Sequence, residues 1–224
     1  MLLTSAKSNI GERSEQQDAI FVKHFESGEV LLVLCDGMGG FNGGSKASNM
    51  AISEIFRVIC NDNLDNIPDL LTYAMDVADS AVFKLKDENN KRLGAGTTCV
   101  TVLIKNNKLY WLSVGDSRLY LIRNSAINQM TRDHVVNCRL CSYLGINGID
   151  RYDISEKPLD LMKNDILILA SDGLYRSISE SDILKYSVTE TDVDILTEKI
   201  INSAVDAGKG RNQDNASIIL CKLI

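Results

Sequence analysis

Two stretches of the chain share one arrangement, an apolar strand-length run that ends in an aspartate followed by glycine. Val30-Leu-Leu-Val-Leu-Cys35 leads into Asp36-Gly37, and Ile166-Leu-Ile-Leu-Ala-Ser171 leads into Asp172-Gly173. Continuous apolar runs of this length between turn signals read as buried strands. Each therefore carries a carboxylate to the end of a core strand. Three more aspartates sit in comparable places. Asp116 lies in the turn Val114-Gly-Asp-Ser-Arg118, Asp18 precedes a strand pattern at residues 19–22, and Asp214 precedes the closing run at residues 216–220. The neighbouring glycines let the backbone approach something closely.

Carboxylates gathered beside a low-dielectric core repel one another and resist ionisation, so an uncompensated cluster is costly. Hard divalent cations remove that cost, and oxygen-only ligands suit Mg²⁺ or Mn²⁺ rather than zinc. The chain has two histidines, His24 and His134, and no paired CxxC motifs, which again favours oxygen ligands. Any one aspartate beside glycine could simply cap a turn. Five at strand ends are not explained that way.

The 224 residues carry 24 Lys and Arg against 30 Asp and Glu, a formal net charge of −6, and no basic stripe is visible. A main role in nucleic-acid binding or electrostatic membrane anchoring is therefore not expected. The first residues lack a basic segment followed by a long apolar core, so no signal peptide is expected, and no apolar run is long enough to span a bilayer. A cytoplasmic location follows as the expectation. The six cysteines (35, 60, 99, 138, 141 and 221) then read as reduced. Cys138-Arg-Leu-Cys141 has CxxC spacing without the second pair that a zinc site requires.

No Pro/Gly/Ser-rich linker, repeat or low-complexity tract divides the sequence, so residues 1–224 read as a single catalytic domain. Residues 20–25 and 30–35 form a hairpin pattern, followed by two helices. The first carries Ala47, Ala51, Ile55 and Ile59 on one face, and the second Ile67, Leu70, Leu71, Ala74, Ala78, Ala81 and Leu85. Strands are expected at 97–104, 108–114, 118–123, 126–130 and 166–170. Ser179 N-caps a helix starting near Glu180, a further helix covers 193–206, and a strand at 216–223 closes the chain. This order points to an α+β sheet sandwich with helices packed outside.

The motifs that hold these aspartates resemble the metal-dependent Ser/Thr protein phosphatases (PPM, type 2C) in a compact bacterial form. Arg13-Ser-Glu-Gln-Gln-Asp18, Asp36-Gly-Met-Gly-Gly40 with Gly44, Ala47 and Ser48, and Gly96-Thr-Thr98 occur in family order. So do Val114-Gly-Asp-Ser-Arg118, Thr131-Arg-Asp-His134, Ser171-Asp-Gly-Leu174 and Asp214-Asn215. The resemblance implies a four-layer α/β/β/α sandwich, two mainly antiparallel sheets flanked by helix pairs. It implies a site for two Mn²⁺ or Mg²⁺ ions, with a third, weaker one. In that scheme Asp36 bridges the two metals, the Gly37 carbonyl adds a ligand, and Asp172 and Asp214 hold the first. Asp18 and Gln17 act at the second, directly or through water, and Asp116 with Asp172 holds the third. Arg13 clamps the phosphate. The implied reaction is hydrolysis of phosphoserine and phosphothreonine by a metal-bridging hydroxide attacking directly, with no phosphoenzyme. Implied partners are phosphoproteins made by a Ser/Thr kinase, with the enzyme a monomer that needs neither nucleic acid nor membrane.

Several positions depart from the pattern. Gln16 and Gln17 replace Asn and Glu, Met38 stands where eukaryotic members carry a histidine, and Phe41 and Ser45 replace the usual His and Glu. His24 reads as structural, and His134 matches a family histidine. The flap segment is short, spanning only 135–150, which predicts an open cleft with little discrimination by local peptide sequence. Two alternatives stand beside this reading. A haloacid-dehalogenase-type phosphatase needs an aspartate nucleophile two residues before Asp36 or Asp172, where Leu34 and Ala170 stand. A catalytically silent phosphatase-like module would bind phosphoproteins without turning them over.

Overall fold

The computed structural model describes residues 1–39, 43–61 and 66–224; Gly40 and Phe41 of the glycine motif lie outside the described residues. The chain runs β1 (Leu2–Asn9), β2 (Asp18–His24), β3 (Val30–Met38), α1 (Gly43–Asn61), α2 (Ile67–Phe83) and β4 (Gly96–Thr97). Two hairpins follow, β5 (Cys99–Lys105) with β6 (Lys108–Val114) and β7 (Arg118–Arg123) with β8 (Ala126–Gln129). Short strands β9 (Val135–Val136), β10 (Arg139–Leu140), β11 (Asp153–Ile154) and β12 (Leu159–Asp160) precede β13 (Ile166–Ala170). Helices α3 (Asp172–Tyr175), α4 (Glu180–Thr189) and α5 (Val193–Gly208) lead to β14 (Ala216–Leu223).

One sheet has the order β1-β14-β13-β7-β8. The other runs β11-β6-β5-β3-β2, with β12 also on β6 and β4 on β3. Side chains alternate across a strand, and that alternation sorts the apolar residues into three layers. From β3, Leu31, Val33 and Cys35 face α1 and α2, while Val30, Leu32 and Leu34 fill the space between the sheets. From β13, Leu167 and Leu169 join that middle layer, and Ile166, Ile168 and Ala170 turn outward to the C-terminal helices. The result is the expected α/β/β/α sandwich. Because β3 and β13 are covered on both faces, they had to read as unbroken apolar runs.

The capping expectation holds. The Ser179 hydroxyl accepts a hydrogen bond from the Asp182 N–H at 3.2 Å, and Asp192 caps α5 through the Asp194 and Ile195 N–H groups at 2.9 and 3.0 Å. Each such cap contributes about 1 kcal/mol. The short elements β9, β10, β12 and α3 were not expected, and three further differences concern the strands of the main sheets. β1 was not expected; it pairs along its whole length with β14, Leu2 opposite Leu223 and Asn9 opposite Ala216. β3 continues through Asp36 to Met38. The strand expected at 97–104 breaks at Thr98, whose backbone and hydroxyl are used at the site.

Candidate active site

One end of the sandwich is built from strand termini. Asp18 opens β2 and stands opposite Asp36 in the antiparallel register, so both carboxylates share one sheet face. Asp172 begins α3 directly after β13, and Asp214 lies just before β14, the neighbouring strand of the other sheet. Asp116 sits in the connection from β6 to β7, where the chain crosses between sheets.

Hydrogen bonds fix these termini. The Asp36 N–H donates to Thr98 Oγ1 at 3.0 Å, and the Thr98 hydroxyl meets Ser117 Oγ at 2.6 Å. Thr98 thereby ties the Asp36 and Asp116 backbones together. Asn215 staples the Arg13–Asp18 segment in place: its amide donates to the Ile10 and Glu15 carbonyls at 2.8 and 3.0 Å, and its oxygen accepts the Gln17 N–H at 2.8 Å. A Cβ at Gly37 would lie 2.2 Å from the Gly44 carbonyl oxygen, so the start of α1 can pack here only against glycine. His134 props the Asp116 turn from behind. The Gly115 N–H donates to its Nδ1 at 3.1 Å and its own N–H donates to the Gly115 carbonyl at 2.9 Å. Its ring is an acceptor there, and burial holds its pKa below the usual histidine value. His24 meets Thr4 Oγ1 at 2.8 Å across the edge of the sheets, which agrees with a structural role.

Arg13, Asp36, Gly37, Asp116, Asp172 and Asp214 all line one cleft of about 1060 Å³. Asp18 does not. It is 7% exposed, stands opposite Asp36 in the β2–β3 register, and accepts a hydrogen bond from the Ser171 hydroxyl at 2.8 Å. Burial pushes its pKa up to about 7, against the pull of the Ser217 and Ser171 hydroxyls and helped by Asp172 and Asp214. Asp36 is raised well above the carboxylate range, first by burial and then by Asp18, Asp172, Asp116 and Asp214. Asp172 is also raised by burial, with Arg176 opposing and Asp116 and Asp214 reinforcing. The protein has concentrated negative charge where it is hardest to keep.

Two arginines relieve part of the strain. Arg13 grips Asp214 in a bidentate pair, Nε to Oδ1 at 2.9 Å and Nη2 to Oδ2 at 2.8 Å. Arg176 bridges two acids, Nη2 to Asp116 Oδ2 and Nη1 to Asp172 Oδ2, both at 3.0 Å. Sequence reasoning missed Arg176, although its place four residues after Asp172 was a visible signal. Beside it, the Arg118 guanidinium lies 3.7 Å above the Tyr175 ring and pairs with Asp133 at 2.7 Å.

The short segment after His134 forms the β9–β10 hairpin, which places Val135, Cys138 and Leu140 on the cleft wall. Cys138 and Cys141 are both free thiols. Behind the hairpin, the buried Asp79 of α2 accepts four backbone N–H groups, from Gly145 (2.6 Å), Ile146 (3.0 Å), Asn147 (3.2 Å) and Gly148 (2.7 Å).

Among the described residues no three His, Cys, Asp or Glu side chains are ready-gathered as a metal cage; arginines hold four of the cleft carboxylates, Asp116, Asp133, Asp172 and Asp214. The donor set still suits a hard divalent cation. It is all oxygen, it contains the glycine backbone at Gly37, and its central carboxylate resists ionisation because of burial and the neighbouring aspartates, a cost that a cation would remove.

The chain matches the Protein phosphatase 2C family over residues 5–140 and belongs to it. It is similar to the protein phosphatase PhpP of Streptococcus pneumoniae, 26% identical over 98% of this chain and 96% of that one. It is also similar to the serine/threonine phosphatase stp of Listeria monocytogenes, 25% identical over 96% and 92%. Its fold superposes on the serine/threonine phosphatase of S. agalactiae with a TM-score of 0.89, at 24% identity and covering 100% of both chains. The catalytic domain of the phosphatase PstP, solved in complex with two manganese ions, superposes with a TM-score of 0.83 at 24% identity over 99% and 97%.

Proposed function

We propose that the protein is a metal-dependent protein serine/threonine phosphatase acting on phosphoserine and phosphothreonine, with residues 1–224 as one catalytic domain. The observation that carries this reading is the arrival of Arg13, Asp36, Asp116, Asp172 and Asp214 at one cleft from the termini of different strands. Family membership and the oxygen-only donor set support it. Asp36 would serve both ions, with the Gly37 carbonyl adding a ligand; Asp172 and Asp214 would hold the first, and Asp18 with Gln17 would act at the second, directly or through water. When bound, two Mn²⁺ or Mg²⁺ ions supply a water of lowered pKa and neutralise charge on the phosphoryl group.

The side chains do the rest. Arg13 lies at the rim, where its fork suits two phosphate oxygens. That fork is paired with Asp214 here, Nε to Oδ1 and Nη2 to Oδ2, and Arg13 would turn it to the phosphate when substrate is bound. His134 has its Nδ1 already used by the Gly115 N–H and does not line the cleft, which makes it a positioning residue for Asp116. No aspartate stands at positions 34 or 170 to form a phosphoenzyme. A phosphoprotein made by a Ser/Thr kinase is the natural substrate, and the open hairpin beside the cleft leaves room for a folded one.

Hydrolysis of p-nitrophenyl phosphate and of a phosphothreonine peptide, assayed with Mn²⁺, with EDTA and in Asp172→Asn, tests the proposal. Metal-dependent turnover abolished by the substitution is expected. No turnover with any divalent ion would replace the enzyme by a phosphoprotein-binding module, and a trapped covalent phosphoenzyme would overturn direct hydrolysis.

A further inference from the structure

Arg176 lines the cleft, and the proposed reaction leaves it without a task. Its guanidinium spans Asp116 and Asp172 at 3.0 Å each, and these residues come from different parts of the fold, the β6–β7 connection and the end of β13. Its backbone N–H donates to the Asp172 carbonyl at 3.0 Å, which fixes it one helical turn beyond that aspartate. The other nearby arginine cannot substitute for it. Arg118 is held by Asp133, by the Tyr120 hydroxyl at 3.0 Å and by the Tyr175 ring. The Asp116 side chain is 7% exposed, whereas that of Arg176 is 63% exposed, so the charge lies over the acids from the solvent side.

A guanidinium and a divalent cation compete for the same carboxylate oxygens. A tethered cation acts at an effective concentration in about the millimolar range, where a weak free-ion site is easily outcompeted. We propose that Arg176 takes the place of a divalent cation on the Asp116–Asp172 pair, so that this chain works with two metal ions and a side chain in the third position. The inference rests on the metal-dependent phosphatase reading above. Asp172 keeps its second oxygen for the first metal, while Asp116 has its charge met from within the chain.

The test counts bound ions rather than turnover. Equilibrium dialysis of the full chain against millimolar Mn²⁺, with metal measured by atomic emission, should give two Mn²⁺ for the wild type and three for Arg176→Ala. The double variant Arg176→Ala/Asp116→Asn should return to two, and Arg176→Lys should stay at two. Circular dichroism confirms that each variant is folded. A wild type that turns over substrate and binds three Mn²⁺, or an Arg176→Ala variant that stays at two, would overturn the inference while leaving the phosphatase reading intact. A wild type that neither binds Mn²⁺ nor turns over substrate sinks both.

Discussion

Replacing Asp18 by Asn should stabilise the metal-free protein. Asp18 is 7% exposed among other carboxylates, and its folded-state pKa stands at about 7 against an ordinary value of 3.8. The shift is upward, so folding favours the protonated form: the group costs nothing below about pH 4, and stability is lost as pH rises from there to about 7. At roughly 1.4 kcal/mol per pKa unit, the ceiling at pH 8 is about 4 kcal/mol. Water entry and relaxation around a mutable cleft reduce this, so a gain of about 2 kcal/mol is the working figure. Asparagine keeps an oxygen to accept the Ser171 hydroxyl, so the substitution removes charge and little else. A 2 kcal/mol gain corresponds to about 4–8 °C in Tm for a chain of this length. Urea unfolding in EDTA, followed by the single tryptophan, Trp111, should show a higher midpoint for Asp18→Asn at pH 8 and a difference only about a quarter as large at pH 4.5. With saturating Mn²⁺ the order should narrow or reverse, because the wild-type carboxylate then meets a cation. Equal midpoints at pH 8, or a difference that does not change with pH, would refute the reasoning.

Three further outcomes can be checked. Asp79→Ala removes the acceptor of four backbone N–H groups; a loss of about 2–4 kcal/mol is expected, with protease cleavage appearing first at residues 145–148. Arg13→Ala should lower kcat/KM for a phosphopeptide by about 10–100-fold, the value of a bidentate charge-assisted contact, while Mn²⁺ affinity stays level or rises as Asp214 is released; weakened Mn²⁺ binding would contradict the arrangement. Lengthening the segment at 135–150 with a longer flap should sharpen selectivity among phosphopeptides, and unchanged kcat/KM ratios would show that the short hairpin is not what leaves the cleft open.

The layered fold was legible because its central strands are long, apolar and bounded by turn residues. The runs at 108–114, 118–123 and 166–170 match β6, β7 and β13 without adjustment. β1 was not legible: Leu2–Asn9 mixes Leu with Ser, Thr and Lys, and its strand character comes from pairing with β14 rather than from its own pattern. The break at Thr98 was hidden for a similar reason, since a β-branched residue suits a strand and only the tertiary fold turns its hydroxyl to Asp36. At the site, the position of the aspartates at strand ends was enough to bring five of them to one place. Two features escaped. That Asp18 stands directly beside Asp36 follows from the β2–β3 register, which apolar spacing alone leaves open, and its burial keeps it off the cleft wall. The commitment of Arg13 to Asp214 joins residues 201 positions apart, and no local pattern encodes it.

The site also sets a clock on biosynthesis. Its charged groups run from Arg13 to Asp214, and the strand that brings Asp214 into register, β14, is made after the thirteen other strands described yet pairs with β1, the first of them. A ribosome-bound chain that lacks β14 has lost the strand that joins β1 to β13, along with Asn215, the staple of the Arg13 segment. Such a chain can collapse around β3, α1 and α2 but cannot gather the full set of carboxylates. An unfinished or truncated polypeptide therefore has no means of removing phosphate, and the activity is withheld from every intermediate until the two sheets have closed on each other.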